Sequence, residues 1–421
     1  MTLRAAILST GDELTTGRIS DTNASWIADK LFEMGVDVVA ILAVGDYPDR
    51  LAWAWTKAIA QADVVISTGG IGPTADDLTN ETVAEVLGVP LVLDQPSVDR
   101  VRAFFTSRGI DMPENNVKQA RLPEGATIVP NNFGTAPGYR VTQGQKHLVV
   151  LPGVPREMKP MMEDTVLPWI RQMAGEDPPL VRTFQTFGIS ESGLDELVAG
   201  AVDPAEARLS FRASFPEISM RVVVRGADAE ARLERISAHV RERLGPWAIG
   251  EGAVSMEQVV GEALRTKRLT LGVAESCTGG LIAHRVTNVP GSSAYFRGGV
   301  GAYSNDVKER LLGVSRETLA RHGAVSEETA SEMATGARRA LGVDVAVATT
   351  GIAGPDGGTP EKPVGLVCFA IATADGTRTS RHQLWGDRGW VKILASQIAL
   401  DIVRRHVLGL PPHEAELFRR R

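Results

Sequence analysis

A serine and a cysteine stand side by side in a glycine-rich segment that follows an apolar run. The segment reads Glu275-Ser276-Cys277-Thr278-Gly279-Gly280. The run before it predicts a strand, and a helix is expected after it. A hydroxyl on such a turn is exposed, and the N-terminus of the next helix can stabilise an anion. We therefore expect a nucleophile here: Ser276 or, because a thiolate is intrinsically stronger, Cys277.

An activated nucleophile also needs a base, and no histidine lies in a telling local motif. The candidate base is Lys308, in Gly301-Ala302-Tyr303-Ser304-Asn305-Asp306-Val307-Lys308. Lysine normally titrates near pH ~10.4, but burial can lower its pKa by several units. A buried, neutral Lys308 could accept the proton of Ser276. Taken alone, however, a lysine such as Lys308 is far more often a surface residue, and the alternative for Cys277 is a small residue packed under the turn.

The first third of the chain contains a second candidate site. A predicted strand runs into Thr68-Gly69-Gly70-Ile71-Gly72-Pro73-Thr74-Ala75-Asp76-Asp77-Leu78-Thr79. The N–H groups of such a turn can face an anion, and a helix beginning near Thr79 would add its dipole. Asp77 could then hold a metal or a ligand hydroxyl. The simpler alternative is a tight strand-to-helix turn with a capping aspartate.

Other acidic and amide side chains follow neighbouring predicted strands and could converge on this turn: Asp12, Glu13, Asp21, Asn23 and Asp46. Oxygen ligands beside a phosphate site suit Mg²⁺ or a similar ion. Taken singly, each is more often a solvated loop residue or a helix cap. Asn23, for example, could cap the amphipathic helix that follows it.

Two different patterns divide the chain into three parts. Buried strands alternate with amphipathic helices in the first and last thirds, which predicts two α/β domains with parallel sheets covered by helices on both faces. The middle segment predicts a small α+β module. We expect domains at 1–173, 180–246 and 253–415, with Ala174-Gly175-Glu176-Asp177-Pro178-Pro179 as a linker.

Composition excludes several classes of protein. The 421 residues are 43% hydrophobic and 23% charged, which is typical of a folded multidomain chain and not of a disordered or fibrous one. The net charge of −6 disfavours a general coat for DNA or membranes. We expect neither a membrane span nor a signal peptide. Two cysteines cannot supply a disulfide framework, and a cytoplasmic setting fits best.

The N-terminal motifs resemble the molybdopterin-binding-like domain of the CinA family of competence/damage-inducible proteins. The matching segments are Ser9-Thr10-Gly11-Asp12-Glu13-Leu14, Asp21-Thr22-Asn23, the Gly69-to-Thr79 turn and Leu151-Pro152-Gly153-Val154-Pro155-Arg156-Glu157-Met158. The resemblance implies a three-layer α/β fold and metal-dependent hydrolysis of ADP-ribose to AMP and ribose 5-phosphate. The implied substrate contacts are Gly69, Gly70, Gly72, Thr79 and Asn23. The implied metal residues are Asp12, Asp46 and Asp77, with Mg²⁺ or a similar divalent ion and K⁺ as a further candidate.

The C-terminal motifs resemble the nicotinamide-nucleotide amidohydrolases that form the C-terminal part of CinA proteins. The matching segments are the Ser276 motif, Gly301-Ala302-Tyr303, Lys308 and Thr349-Thr350-Gly351-Ile352-Ala353-Gly354-Pro355. The resemblance implies a three-layer α/β domain that hydrolyses nicotinamide mononucleotide to nicotinate mononucleotide and ammonia without a cofactor. It favours Ser276 over Cys277 as nucleophile.

The same resemblance implies roles for the residues around the nucleophile. Lys308 would be the base, and Tyr303 would orient Lys308 or stack on the pyridine ring. N–H groups near Cys277 to Gly279 would form an oxyanion hole. The implied substrate contacts are Thr278, Gly279, Thr350, Gly351, Gly354 and Arg388.

The middle module resembles a KH-type fold. A KH domain that binds nucleic acid needs a GxxG loop to clamp the backbone, and residues 180–245 contain none. We therefore expect a structural or dimer-forming spacer and no direct nucleic-acid binding. The resemblance implies a homodimeric bifunctional enzyme of pyridine-nucleotide recycling. Two alternatives stay open: a single active domain, or a non-enzymatic competence or DNA-damage accessory protein acting through protein partners.

Overall fold

The computed structural model describes residues 3–174 and 178–412, which fall into two compact units. The first unit holds the residues up to 180 together with 225–227, and the second holds 181–224 and the residues from 228 onward. Residues 175–177 of the predicted linker and 413–415 of the predicted last domain lie outside the described residues. Within the described ranges, no helix has the length and apolar composition needed to cross a bilayer.

The first unit is built on a mixed sheet flanked by helices. Its strands are β1 (Arg4–Thr10), β2 (Asp37–Val44), β3 (Val64–Thr68), β4 (Leu91–Leu93), β5 (Arg121–Pro123), β6 (Thr127–Val129), β7 (Gly138–Gln143) and β8 (Lys146–Leu151). Six of them form a sheet in the order β2-β1-β3-β8-β7-β6, and β4 pairs with β5 in a separate ribbon. The strands β2, β1, β3 and β8 are parallel, whereas β7 and β6 join antiparallel.

Helices cover both faces of this sheet. They are α1 (Asp12–Thr15), α2 (Thr22–Glu33), α3 (Pro48–Gln61), α4 (Thr79–Leu87), α5 (Gln95–Thr106), α6 (Pro155–Met161) and α7 (Leu167–Met173), with a 3₁₀ turn at Glu114–Ala120. Adjacent residues of β1 point to opposite cores, as strand geometry requires. Ile7 shares one core with Ile27 of α2, and Leu8 shares the other with Trp55 of α3. The predicted three-layer α/β fold is confirmed.

The start of α2 corrects one expectation. Asp21 caps this helix, because its carboxylate accepts the Ala24 N–H at 2.9 Å. Asn23 lies inside the helix, and its Nδ2 donates instead to the carbonyl of Gly153 at 2.7 Å. Asn23 is therefore not a cap but a link from α2 to the loop after β8. Gly35 follows the helix with a φ of +79°, which suits a glycine at a helix end.

The second unit contains the small middle sheet. Its strands are β9 (Leu180–Thr186), β10 (Arg208–Ser214), β11 (Glu217–Val224) and β12 (Ala248–Glu251), in the order β10-β11-β9-β12. Its helices are α8 (Glu191–Val198) and α9 (Ala229–Leu244). The α+β character predicted for this module is present. The fourth strand, β12, lies beyond residue 246, where the predicted module ended.

The same unit contains a second three-layer domain. Its strands are β13 (Leu271–Glu275), β14 (Phe296–Gly301), β15 (Val345–Gly351), β16 (Leu366–Thr373) and β17 (Gly376–Gln383), in the order β14-β13-β15-β16-β17. The first three are parallel, and β16 and β17 are antiparallel additions. Its helices are α10 (Met256–Lys267), α11 (Leu281–Thr287), α12 (Asn305–Leu312), α13 (Arg316–His322), α14 (Glu327–Leu341) and α15 (Arg388–Leu408).

Helix α15 ties the middle module to this domain through a buried arginine. The Arg404 guanidinium donates to the carbonyls of Ala248 and Pro246, each at 2.7 Å. Its Nε donates to Asp401 at 2.5 Å, so the buried charge is paired. At the start of α10, Ser255 and Gln258 form a capping box.

Candidate functional site

The end of β13 brings the candidate nucleophile and the candidate base together. Ser276 follows directly after β13, and its N–H donates to the Thr349 carbonyl on β15 at 3.0 Å. Lys308 projects from α12 and is only 1% exposed. Its Nζ lies 3.2 Å from Ser276 Oγ. An amine and a hydroxyl are therefore within hydrogen-bond distance in the protein interior.

The surroundings of Lys308 favour its neutral form. Its Nζ donates to the carbonyls of Ala302 at 2.9 Å and Tyr303 at 3.1 Å. With Ser276 Oγ, three oxygen atoms surround this amine. Burial lowers the pKa of Lys308 from its ordinary value, which shifts the equilibrium toward the neutral amine.

The neighbouring thiol is less suited to attack. Cys277 is 5% exposed, and burial raises the pKa of its thiol to about 12. A thiol with so high a pKa carries almost no thiolate at neutral pH. The high pKa of its thiol therefore disfavours Cys277, and Ser276 stays the predicted nucleophile.

A buried carboxylate occupies the N-terminus of α11. Glu275 accepts the N–H groups of Gly280 at 3.0 Å, Ile282 at 3.1 Å and Ala283 at 2.9 Å. The expectation that this helix end would stabilise a reacting anion is wrong, because the protein supplies its own anion there. Glu275 instead fixes the turn that carries Ser276.

Two of the implied contacts in this turn serve the fold. The Gly279 N–H donates to the Ser276 carbonyl at 3.1 Å, so it is not a donor for an oxyanion. The Thr278 hydroxyl is fully buried and pairs with the hydroxyl of Thr349 at 2.9 Å. The Thr278 side chain is thus committed to the fold, and only its backbone is left for the implied substrate contact. The amides of Cys277 and Thr278 have no acceptor in another residue within the described part of the chain.

A cavity of about 250 Å³ opens over Ser276 and Lys308. Of the implied substrate contacts, the cavity is lined by Thr350, Gly351, Gly354 and Arg388. The Thr350 hydroxyl donates to the Ala324 carbonyl at 2.7 Å, so this residue presents backbone to the cavity. The glycines likewise offer backbone groups at close approach.

Arg388 and Tyr303 form the rim of this cavity. The Arg388 guanidinium donates to the Gly354 carbonyl at 2.8 Å and to the Tyr303 hydroxyl at 3.0 Å. The Tyr303 side chain is 65% exposed. Its backbone carbonyl, and not its ring, contacts Lys308. The ring is left free to meet a ligand, and one cationic side chain borders the opening.

The first unit has its own cavity, of about 560 Å³, at the carboxyl ends of its parallel strands. The implied residues that line it are Asp46, Gly69, Gly70, Gly72 and Asp77. Open α/β sheets bind ligands at this edge. The glycine turn and two of the three implied metal residues therefore lie around one space, and Asp12 adjoins it through Asp46.

Hydrogen bonds to β8 and to the first residue of α4 hold the glycine turn in place. The Gly69 N–H donates to the Leu151 carbonyl at 3.0 Å, so it does not face an anion as expected. The Thr79 hydroxyl is buried and donates to the Gly69 carbonyl at 3.0 Å. Thr79 begins α4, as predicted, and its hydroxyl holds the turn.

The acidic residues around this cavity also make structural contacts. Asp77 Oδ2 accepts the N–H of Thr74 at 2.8 Å, a bond within the loop. The simpler alternative of an aspartate that caps the helix is wrong, because α4 begins after Leu78 without a side-chain cap. Asp46 Oδ2 accepts the N–H of Asp12 at 3.0 Å, and Asp12 Oδ1 lies 3.4 Å from the Asp46 nitrogen. Burial raises the pKa of Asp46, and the charges of Asp12, Glu13 and Asp76 raise it further.

These carboxylates fit a cation only in part. Among the described residues, no group of three or more His, Cys, Asp or Glu side chains is spaced to hold a metal ion. Mg²⁺ commonly binds through one or two carboxylates, with phosphate oxygens and water completing its shell. Asp46 and Asp77 therefore suit an ion that arrives with a phosphate ligand, and the crowding of negative charge on Asp46 would be relieved by it.

Three protein families match consecutive segments of the chain between residues 6 and 407. A probable molybdopterin binding domain matches residues 6–172, a damage-inducible protein CinA KH domain matches 181–250, and a CinA C-terminal domain matches 253–407. A "CinA-like protein" of Dictyoglomus thermophilum is 42% identical over 412 residues, covering 97% of this chain and 100% of that protein. This chain belongs to the CinA family.

Two further CinA family relatives carry the name "competence-damage inducible protein". The one from Acetivibrio thermocellus is 43% identical over 412 residues, with 97% of this chain and 100% of that protein covered. The one from Symbiobacterium thermophilum is 44% identical over 424 residues, with 96% and 99% covered. The molybdopterin-binding-like, KH and CinA C-terminal domains expected from the motifs are thus all present.

The sequence motifs missed two residues at the N-terminal cavity of this CinA family chain. Lys118 Nζ donates to the carbonyls of Thr74 at 2.8 Å and Asp77 at 2.5 Å, and so fixes the acidic loop. Gln119 lines the same cavity, is 2% exposed, and its Oε1 has no hydrogen-bond partner. Neither follows a strand, so strand-end reasoning could not find them.

Proposed function

We propose that the C-terminal domain hydrolyses the carboxamide of nicotinamide mononucleotide, giving nicotinate mononucleotide and ammonia. The observation that carries this proposal is the buried Lys308 amine beside Ser276 Oγ, with two carbonyls fixing its other hydrogens. A hydroxyl with an adjacent neutral amine can attack an acyl carbon. The family resemblance selects the nicotinamide nucleotide among amide substrates.

The first half of the reaction transfers the acyl group to the enzyme. Lys308 takes the Ser276 proton as Oγ bonds to the carboxamide carbon, whose C=O becomes an oxyanion. The free amides of Cys277 and Thr278 are the donors nearest the nucleophile along the chain and are suited to this charge. When the intermediate collapses, the C–N bond breaks and the Lys308 ammonium returns the proton, so ammonia leaves.

The second half releases the acid. Water loses a proton to Lys308 as its oxygen bonds to the carbon of the Ser276 ester. Breaking the ester bond returns the proton to Oγ, and the nicotinate carboxyl group is released. Lys308 ends neutral, as it began. Arg388, at the rim, would pair with the substrate's phosphate.

The test is ammonia release from nicotinamide mononucleotide in the presence of EDTA. Wild type and Cys277→Ala should release ammonia, while Ser276→Ala should not. Cys277→Ala is the matched control, because it alters the adjacent residue of the same turn. If folded wild type releases none, the amidohydrolase proposal fails for this chain. Activity that survives in Ser276→Ala but is lost in Cys277→Ala would reverse the choice of nucleophile.

A second function is proposed for the N-terminal domain: hydrolysis of ADP-ribose to AMP and ribose 5-phosphate. It is favoured by the 560 Å³ cavity, which combines a glycine turn with the carboxylates of Asp46 and Asp77. When bound, a divalent cation would neutralise charge that develops on the diphosphate oxygens. Asp46 and Asp77 would hold it, and Lys118 would keep the Asp77 loop in position.

AMP formation from ADP-ribose, with Mg²⁺ added or chelated, tests this second function. Asp77→Asn should lower the rate about 10²-fold or more. Asp111→Asn, at an exposed position of the same domain, should leave it unchanged. A rate that is indifferent both to Asp77→Asn and to chelation would contradict the proposal. Loss of both hydrolyses in the folded wild type would favour the accessory-protein alternative.

A further inference from the structure

A hairpin of the KH module reaches the domain that carries Ser276. Strands β10 and β11 pair antiparallel as far as Ser214 and Glu217, so Phe215 and Pro216 form the tip. The Phe215 side chain stacks on Trp390 of α15, with ring centroids 4.0 Å apart and ring planes at 26°. Both rings belong to the same compact unit. The tip therefore rests on the first turn of α15.

Polar contacts anchor the hairpin just behind its tip. Glu217 accepts the Nε2 group of Gln397 at 2.7 Å. Gln397 is fully buried and accepts from Arg285, which also pairs with Glu257 at 2.7 Å. Such a connected network specifies one arrangement of its members. The position of Phe215 over α15 is thus set by these polar contacts as well as by its stacking on Trp390.

Neighbouring residues of α15 and of the loop before it fix the backbone of Trp390. The side chain of Asp387 accepts the Trp390 N–H at 2.9 Å and so caps α15. Gly386 has a φ of +97°, and a Cβ there would lie 2.7 Å from the Trp390 Cβ. The indole thus sits between the Gly386 backbone and the Phe215 ring.

Arg388 lies in this same first turn, two residues before Trp390. Its guanidinium bridges the Gly354 carbonyl and the Tyr303 hydroxyl, both at the cavity. An arginine recognises a phosphate through a planar fork, which demands a fixed orientation. A contact that fixes the first turn of α15 therefore also fixes the backbone from which this fork projects.

We propose that the KH hairpin is a positioning element of the nucleotide site: Phe215, through Trp390, orients Arg388 toward the phosphate of a pyridine mononucleotide. This inference rests on the proposed amidohydrolase function. It gives the KH module, which lacks a GxxG loop, a part in substrate binding by its neighbour. Phe215 is a positioning residue, since Arg388 and not Phe215 borders the cavity.

The test compares two substrates that differ only in the phosphate. For nicotinamide mononucleotide, Phe215→Ala should raise KM about 3- to 10-fold and leave kcat nearly unchanged. For nicotinamide riboside, which lacks the phosphate, Phe215→Ala should have no effect on kcat/KM. Phe215→Tyr, which keeps the stacking ring, should restore the wild-type KM. Phe133→Ala, at an exposed phenylalanine of the other unit, is the control.

A double variant separates orientation of Arg388 from general loosening of the domain. In an Arg388→Ala background, Phe215→Ala should raise KM no further, because the group it orients is gone. Equal losses for both substrates, or full additivity in the double variant, would overturn the proposal. So would an unchanged KM in an active Phe215→Ala enzyme.

Two measurements distinguish a failure of this proposal from a failure of the proposed amidohydrolase function. If wild type releases no ammonia from nicotinamide mononucleotide, the amidohydrolase proposal fails first. Calorimetric binding of nicotinate mononucleotide then tests the hairpin alone. Weaker binding by Phe215→Ala, rescued in Phe215→Tyr, would support the orienting role. Equal binding by wild type and Phe215→Ala would overturn it.

Discussion

Lys308 Nζ lies 3.2 Å from Ser276 Oγ, although 32 residues separate them in the chain. The parallel pairing of β13 with β14 explains this approach, because the segment after β14 returns to the same edge of the sheet as the turn after β13. The Ala302 N–H donates to the Glu275 carbonyl at 2.8 Å and extends that pairing to the two turns. The pair is thus positioned by the sheet.

Activity should rise with pH as Lys308 loses its proton. Burial lowers its pKa, so the neutral base should form below the pH at which a solvated lysine titrates. The pH profile of kcat/KM for nicotinamide mononucleotide should therefore climb to a plateau with a midpoint below ~10.4. Lys308→Met should lower kcat by about 10³-fold. A Lys308→Met enzyme with the wild-type profile would rule out this base.

Cys277 should be dispensable and unreactive. Its thiol has a pKa raised to about 12 by burial, so alkylating reagents find little thiolate. We expect iodoacetamide to leave the native enzyme active at neutral pH and to label Cys277 only after denaturation, as mass spectrometry would detect. Rapid labelling of the native protein with parallel loss of activity would contradict this.

Glu275 should contribute more to stability than an ordinary surface acid. In Glu275→Gln, one carboxylate oxygen is replaced by an NH₂ group that cannot accept the N–H groups at the start of α11. An unsatisfied buried donor costs about 1–3 kcal/mol, so the free energy of unfolding should fall by about that amount in urea titrations. Glu262→Gln, at a 65% exposed side chain of α10, is the control and should change little. Equal effects of the two substitutions would contradict the role given to Glu275.

Asp46→Asn should stabilise the first unit while impairing its proposed chemistry. Because the folded state raises the pKa of Asp46, ionised Asp46 costs stability above that pKa, and the cost vanishes as pH falls below the unfolded value. The variant should gain about 0.5 kcal/mol at neutral pH, the small size expected of a half-exposed group. It should gain nothing near pH ~3.

Two measurements check this trade-off. Thermal unfolding at both pH values tests the stability gain, and AMP formation from ADP-ribose tests the loss of activity. A variant that is destabilised at neutral pH would show that the contact with the Asp12 N–H outweighs the crowding of charge. A variant that keeps full activity would remove Asp46 from the proposed site.

Much of the fold could be predicted from the spacing of apolar residues along the chain. The amphipathic helix beside Asn23 was predicted, because the spacing of apolar residues along a helix is a local signal. The strands β7, β6, β16 and β17 joined antiparallel, which alternation of strands and helices does not encode. Whether a strand adds parallel or antiparallel depends on contacts far apart in the sequence.

The sites were predictable as segments but less so as side-chain roles. The sequence identified Ser276 and Lys308. It did not show that Glu275 would accept the N–H groups at the start of α11, or that the Thr278 hydroxyl would pair with Thr349 on β15. Those outcomes depend on which N–H groups and hydroxyls are left without partners once the chain is packed. Lys118 was missed for the same reason, since its acceptors lie more than 40 residues away.

The buried Arg404 also bears on how such modules can be separated in evolution or by the experimenter. In a shortened chain that began at Ala253, its guanidinium would lose the carbonyls of Ala248 and Pro246 and would meet water in their place. The ion pair with Asp401 would then lie at a solvent-exposed surface. A chain that retains the strand before α10 keeps this pair covered.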